Sequence, residues 1–151
     1  MQKKNKKRAK NAEPIWDRTR RLKIFRAPPA PTFYPVARID PGVNYFVLML
    51  EQLKAVPRFS CEGHPAGFYV LFSAPQKTAE KIRQCGFFCV ELEGRNKWSI
   101  RLPAYRRADI TERERRYILR QAAAAWEKML GPLDVTNIYT GAPINKQTNA
   151  V

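Results

Sequence analysis

The densest run of reactive side chains in this sequence is Phe59-Ser60-Cys61-Glu62-Gly63-His64-Pro65. It holds the only histidine, one of three cysteines, a carboxylate and a hydroxyl. If the side chains of Cys61 and His64 meet, the imidazole can draw a proton from the thiol and make it a nucleophile. Glu62 and His64 could equally act as acid and base on a phosphodiester or a nucleobase. Cys61, Glu62 and His64 are therefore the candidate catalytic residues. Gly63 and Gly67 allow a tight turn or a close approach to a ligand, so Ser60 and Gly63 are expected to shape a small pocket around them. The plainer alternative is a buried thiol at Cys61 with Glu62 and His64 solvated.

The thiols also bear on metal binding. Cys61 and His64 are spaced C-x2-H and Cys85 and Cys89 C-x3-C, which uses every Cys and His in the chain. A Cys3His set suits zinc. However, Cys85 ends a predicted helix and Cys89 lies in a predicted strand, whereas structural zinc takes such pairs from knuckle-like turns. Buried thiols are the expectation, and no metal or other cofactor is assigned. There is no Walker loop, dinucleotide glycine pattern or cluster of metal carboxylates.

The elements that must position this loop are legible as a pattern. Thr32 to Ile39 is β-type but interrupted by Pro35, so it reads as an edge strand. Asp40-Pro41 starts a helix, and Val43, Phe46, Val47, Leu50 and Leu53 give it one apolar face ending near Lys54. Arg58 to Ser60 and Phe68 to Phe72 read as strands on either side of the loop. Ser73 with Gln76 suggests a capping box for a helix that packs through Ala79 and Ile82 and stops at Gly86. Phe87 to Glu93 and Lys97 to Leu102 read as strands around Gly94-Arg95-Asn96. Thr111 and Glu114 form a second capping box, opening a helix with Ile118, Ala122, Ala125 and Met129 on one face and Gly131-Pro132 at its end. The expected fold class is α+β. The first six elements fit a ferredoxin-like split βαβ antiparallel sheet with helices on one face, followed by an extra strand and a C-terminal helix.

Ahead of these elements, residues 1–26 carry eleven Lys or Arg against Glu13 and Asp17. They are expected to form a basic, largely disordered arm. Residues 27–31 are a Pro-rich spacer, 32–133 a single α+β domain and 134–151 a polar tail. Three cysteines at such spacing predict no disulfide framework. Ala9 to Arg26 lacks the continuous apolar core of a signal peptide, and the longest apolar run, Tyr45 to Leu50, is too short to span a membrane. A cytoplasmic protein is expected.

The whole chain of 151 residues has a formal net charge of +15 and a pI near 10.2. Such a balance favours anionic partners, nucleic acid before a membrane surface. The candidate phosphate-binding residues are Lys3, Lys4, Lys6, Lys7, Arg8, Lys10, Arg18, Arg20 and Arg21 in the arm, Arg106 and Arg107 before the last helix, and Arg113, Arg116 and Arg120 along it. Arginine's planar fork takes two phosphate oxygens at once. Trp98, Tyr105, Phe33 and Tyr34 are candidates to stack on unpaired bases. The alternative is an ordinary solvated charged surface. No motif separates DNA from RNA.

The stretch Val43 through Phe72, a helix followed by Phe-Ser-Cys-Glu-Gly-His-Pro and an apolar strand, resembles uncharacterised bacterial and mobile-element proteins with a Ser-Cys-x-Gly-His loop. More distantly it is similar to the tRNA wybutosine-synthesising methyltransferase family, which has Ser-Cys-Ser-Gly-Arg after a comparable helix. Ser60, Cys61 and Gly63 match that second motif; Glu62 and His64 depart from it. The first resemblance implies a mobile-element context and no defined reaction. The sequence thus points first to a basic nucleic-acid-binding protein with a small pocket at Ser60–His64. The alternatives are an enzyme modifying nucleic acid through Cys61, Glu62 and His64, and an accessory or inhibitory protein that binds another protein.

Overall fold

A computed structural model describes residues 13–26, 37–62, 68–102 and 110–135. Helix α1 spans Ile15–Arg20. A two-residue strand, β1 (Phe25–Arg26), pairs antiparallel with β2 (Ala37–Arg38). A single 3-10 turn, Pro41–Val43, leads into α2 (Asn44–Gln52). Then come β3 (Val56–Cys61), β4 (Tyr69–Ser73), α3 (Gln76–Gln84), β5 (Cys89–Gly94), β6 (Lys97–Arg101) and α4 (Glu112–Leu130).

The α+β class is as expected, with an antiparallel four-stranded sheet in the order β3-β4-β6-β5. A split βαβ unit is present: β4 and β5 are joined through α3, and β6 lies between them. In the expected plan the first strand, before the first helix, occupies that central position. Here β6 fills it. Ala37–Arg38 instead pairs with Phe25–Arg26, outside the main sheet. An interrupted, proline-containing strand competes poorly for a central position, where the N–H groups aimed at both neighbouring strands must be paired.

One apolar cluster forms the core. The sheet contributes Val70, Phe72, Val90, Trp98 and Ile100, the helices Phe46, Ile82, Leu119 and Trp126 among others. Phe46 sits at its aromatic centre, edge-on to Phe68, Phe88 and Trp126 with centroids 5.1, 5.2 and 5.0 Å away. Edge-to-face contacts of this kind set the approach of α2 and α4 to the sheet. The α4 capping box is present as predicted, with Thr111 Oγ1 accepting from the Glu114 N–H and the Glu114 carboxylate accepting from the Thr111 N–H. The buried face of α4 is rotated from the expected one: Leu119, Ala122, Ala123 and Trp126 are buried, whereas Met129 is exposed. Trp126 has the largest apolar surface on the helix, and burying it outweighs burying Met129. The other expected capping box does not form. The residue before α3 is Pro75, without a side-chain cap bond, while Ser73 belongs to β4 and accepts from Arg58 Nε at 3.0 Å.

The largest departure concerns the N-terminal segment. Residues 13–26, expected within a disordered arm, are folded into the domain, which therefore includes them rather than starting near Thr32. Ile15, Trp16, Thr19 and Ile24 are buried. Helix α1 packs against both α2 and α4. Trp16 Nε1 donates to the Gly42 carbonyl at 3.0 Å, and Asn44 Nδ2 donates to the Thr19 and Leu22 carbonyls, each at 2.9 Å. This explains why α2 is buried all round, from Asn44 through Leu50, rather than on one face. A helix apolar on every side needs cover on every side, and α1 supplies part of it.

Tyr45, fully buried on α2, gives a pH-dependent property. Burial raises its phenol well above the ordinary value of 10.0, with smaller contributions from Glu127 and Cys85. Burial also raises the Cys85 thiol from its ordinary 9.0. The folded state holds these protons longer than the unfolded chain does. The associated stability is complete below the ordinary thiol and phenol values and falls as pH rises past them. The Tyr45 hydroxyl has no hydrogen-bond partner among the described residues. Tyr45→Phe is therefore expected to flatten the alkaline loss of stability and leave neutral-pH stability unchanged or higher, because an unpaired buried hydroxyl costs about 1–3 kcal/mol. Urea denaturation across the alkaline range checks this. An unchanged profile in Tyr45→Phe would assign the loss to other groups.

Candidate nucleic-acid interface and the Ser60–Glu62 corner

Strand β3 runs through Cys61, further than expected, and this decides how the reactive cluster is arranged. Ser60 pairs with Val70 and Cys61 with Tyr69. Consecutive strand residues point to opposite faces. Ser60 therefore lies on the side of the core and Cys61 on the outward side, so the two do not line one concave surface. Gly63 and His64 lie outside the described residues, and with them the Cys61–His64 pairing.

Glu62 has a definite place. Its carboxylate Oε1 accepts from the Gly42 N–H at 2.9 Å, and its own N–H donates to Asp40 Oδ2 at 2.9 Å. Glu62 is thus tied at both its carboxylate and its backbone N–H to the start of the 3-10 turn that leads into α2. Asp40 occupies the expected N-cap position, but its side chain makes no cap bond to its own turn. The Glu62 carboxylate, reaching over from β3, satisfies a backbone donor there instead. An anion beside the unpaired N–H groups of a helical start is favourable. This geometry gives Glu62 a structural role at the start of that turn.

The three thiols are spread apart. Cys61 is on edge strand β3 and Cys89 on the opposite edge, β5, separated by β4 and β6. Three inter-strand spacings amount to about 14 Å, far beyond what one metal ion bridges. Cys85 is buried at the end of α3, its sulfur 3.4 Å from the Lys81 carbonyl. No cluster of three or more potential metal ligands occurs among the described residues.

The basic residues are brought together more than the sequence suggested. Asp17 on α1 takes a forked ion pair from Arg120 on α4, with Nε 2.8 Å from Oδ2 and Nη2 3.0 Å from Oδ1. Asp17 raises the Arg120 guanidinium above its ordinary pKa. The guanidinium groups of Arg20 and Arg120 lie 5.6 and 5.8 Å from the Trp16 ring centroid. Arg120, expected to bind phosphate, therefore serves first to join α1 to α4. Arg116 pairs with Glu112 at 3.2 Å, and Arg21 with Glu13. Arg21 is the main reason the Glu13 carboxyl lies below its ordinary pKa. Arg18 and Arg113 are exposed. Glu112, Arg113, Arg116 and Arg120 border a shallow hollow of about 450 Å³. Lys3, Lys4, Lys6, Lys7, Arg8, Lys10, Arg106 and Arg107 lie outside the described residues.

Of the proposed stacking aromatics, Trp98 is buried and its Nε1 donates to the Ala74 carbonyl at 3.0 Å, so its ring is not available to a ligand. Phe33, Tyr34 and Tyr105 lie outside the described residues. Sequence reasoning missed Phe59 and Tyr69, which are on the outward face of the sheet. The readable signal on β4 was the alternation of Tyr69 and Leu71 with Val70 and Phe72. It was masked by the continuous apolar run Phe68–Phe72, which looks buried on both faces.

No family model, curated protein or solved structure matches the chain. No helix among the described residues is long and apolar enough to cross a membrane.

Proposed function

We propose that the protein binds nucleic acid in the cytoplasm and grips the phosphate backbone with the surface shared by α1 and α4. The supporting observation is the packing of α1 on α4. It joins two basic segments that are far apart in sequence. Residues 13–26 and 112–120 together carry nine Lys or Arg against four Asp or Glu. The exposed pairs Arg21–Glu13 and Arg116–Glu112 do not remove these groups from use. Surface ion pairs are worth only about 0–1 kcal/mol, so a phosphate oxygen can replace the carboxylate at little cost. Glu62 held against Gly42 favours this reading over an enzyme that uses Glu62 as acid or base.

The test is binding of labelled duplex and single-stranded oligonucleotides at increasing salt. The logarithm of the affinity should fall steeply and linearly with the logarithm of salt concentration. Arg18→Ala and Arg113→Ala should each flatten that slope, by roughly 0.9 for a lost duplex contact or roughly 0.7 for a single strand. Arg120→Ala should act mainly on stability. Absence of salt-dependent binding to either form would overturn the proposal and leave the protein-binding alternative.

A further inference from the structure

The four-stranded sheet has two faces of different character, and the function proposed above uses neither. Across β3, β4, β6 and β5, the row Ser60, Val70, Ile100, Val90 faces the core. The next rows, Phe59, Leu71, Ser99, Glu91 and then Cys61, Tyr69, Arg101, Cys89, face away from it. No residue of these outward rows belongs to the apolar core cluster, and the one buried among them, Ser99, is a polar residue that donates to Glu93. A sheet face turned from the core ordinarily carries small polar and charged residues. This one carries Phe59 with 59% of its surface exposed, and the Tyr69 ring lies 6.0 Å from it, centroid to centroid, at 58°. Arg101 sets its guanidinium 4.4 Å from the Tyr69 ring centroid.

We infer that this outward face is a stacking platform for the unpaired bases of a single-stranded nucleic acid, with Phe59, Tyr69 and Arg101 as its contact residues. The inference rests on the nucleic-acid reading above and names the form of nucleic acid that this face takes. Three observations support it. First, Phe59 and Tyr69 lie on adjacent paired strands with their rings against each other, so successive bases would meet two neighbouring aromatic surfaces. Aromatic side chains and the guanidinium plane of arginine both stack on bases irrespective of sequence. Second, the ladder shifts register between Pro57 and Phe59. A bulge re-aims the side chains beside it, and on this edge strand it coincides with an exposed phenylalanine. Third, the charge on the face has a direction. Arg58 is anchored to Ser73 on this side, and Lys97 pairs with Ser73 in the same row. The carboxylates Glu91 and Glu93 lie towards the β5 edge, where Glu93 accepts from Ser99 Oγ at 2.6 Å. A phosphate backbone is thus attracted over β3, β4 and Arg101 and repelled at β5. A duplex would present its backbone to this face but not its base faces, which are already stacked. A single strand presents both.

The experiment compares the intact chain with Phe59→Ala and Phe59→Trp, using a labelled oligothymidylate and a duplex of equal length. Phe59 is exposed on an edge strand, so truncating it should leave thermal unfolding unchanged. Phe59→Ala is expected to weaken single-strand binding about five- to 150-fold, the range for losing one base stack, and to leave duplex binding unaltered. Phe59→Trp should restore the affinity and add indole emission that the oligothymidylate quenches. Arg101→Ala should weaken single-strand binding and lower its salt dependence. Equal single-strand affinity for the intact chain and Phe59→Ala, with duplex binding retained, would overturn the platform and leave the phosphate-binding surface standing. No binding to either oligonucleotide would overturn both readings. Sedimentation of the intact chain as a dimer that Phe59→Ala converts to monomer would assign the face to a second copy of the chain instead.

Discussion

Trp16→Ala is expected to lower the free energy of unfolding by about 3–5 kcal/mol, the cost of emptying a buried tryptophan site. Small domains are stable by only about 5–15 kcal/mol, so the variant should lose a large share of its stability. The ring is 1% exposed and lies in the segment where α1 meets α2 and α4. Its indole N–H also satisfies the Gly42 carbonyl, and leaving such a buried group unpaired adds to the loss. Trp16→Phe keeps most of the ring burial but removes the N–H, so it should lose roughly 1–2 kcal/mol less than alanine. Deleting residues 1–26 should abolish cooperative unfolding, because it removes Trp16 and Ile24 from the core and leaves Asn44 without the Thr19 and Leu22 carbonyls. Chemical denaturation followed by circular dichroism measures all three. A Trp16→Ala variant within about 0.5 kcal/mol of the parent, the usual scatter of surface substitutions, would show that α1 is not part of the cooperative unit.

The sequence encoded α1 in a form that charge counting hides. Arg18, Arg20, Arg21 and Lys23 make residues 13–26 look like solvated arm, yet Ile15, Trp16, Thr19 and Ile24 fall at spacings that a helix and its following turn can bury together. The matching signal was in α2: Tyr45 to Leu50 is apolar without a polar stripe, which demands a second layer of cover. The strands from Phe68 to Leu102 and the α4 capping box were legible because turn residues and a reciprocal cap act locally. The order of strands was not, because β6 and the segment before Asp40 compete for one central position. That choice depends on side chains distant in sequence. For the same reason the reactive cluster could be found but not arranged. Composition brings Ser60, Cys61 and Glu62 to notice, whereas the extent of β3 and the partner at Gly42 decide where they point.

That partner gives the second large effect. A Cβ at position 42 would lie 2.4 Å from Glu62 Cδ and 2.5 Å from Oε1, closer than atoms can approach. The obstructing atoms are the end of one side chain, so Gly42→Ala should be relieved by moving the Glu62 carboxylate away. The same movement breaks its hydrogen bond to the Gly42 N–H. The expected cost is therefore that of a charged hydrogen bond, about 1.5–3 kcal/mol. Glu62→Ala should cost a similar amount, since it deletes the same bond. The double variant removes one interaction, not two, so its loss should match either single substitution instead of their sum. Glu62→Gln keeps an acceptor oxygen and should cost less than alanine. Urea unfolding of the parent, Gly42→Ala, Glu62→Ala and the double variant forms a double-mutant cycle with a large coupling term. Losses that add to within about 0.5 kcal/mol would mean that Gly42 and Glu62 act independently. That outcome would remove the structural role assigned to the Glu62 carboxylate.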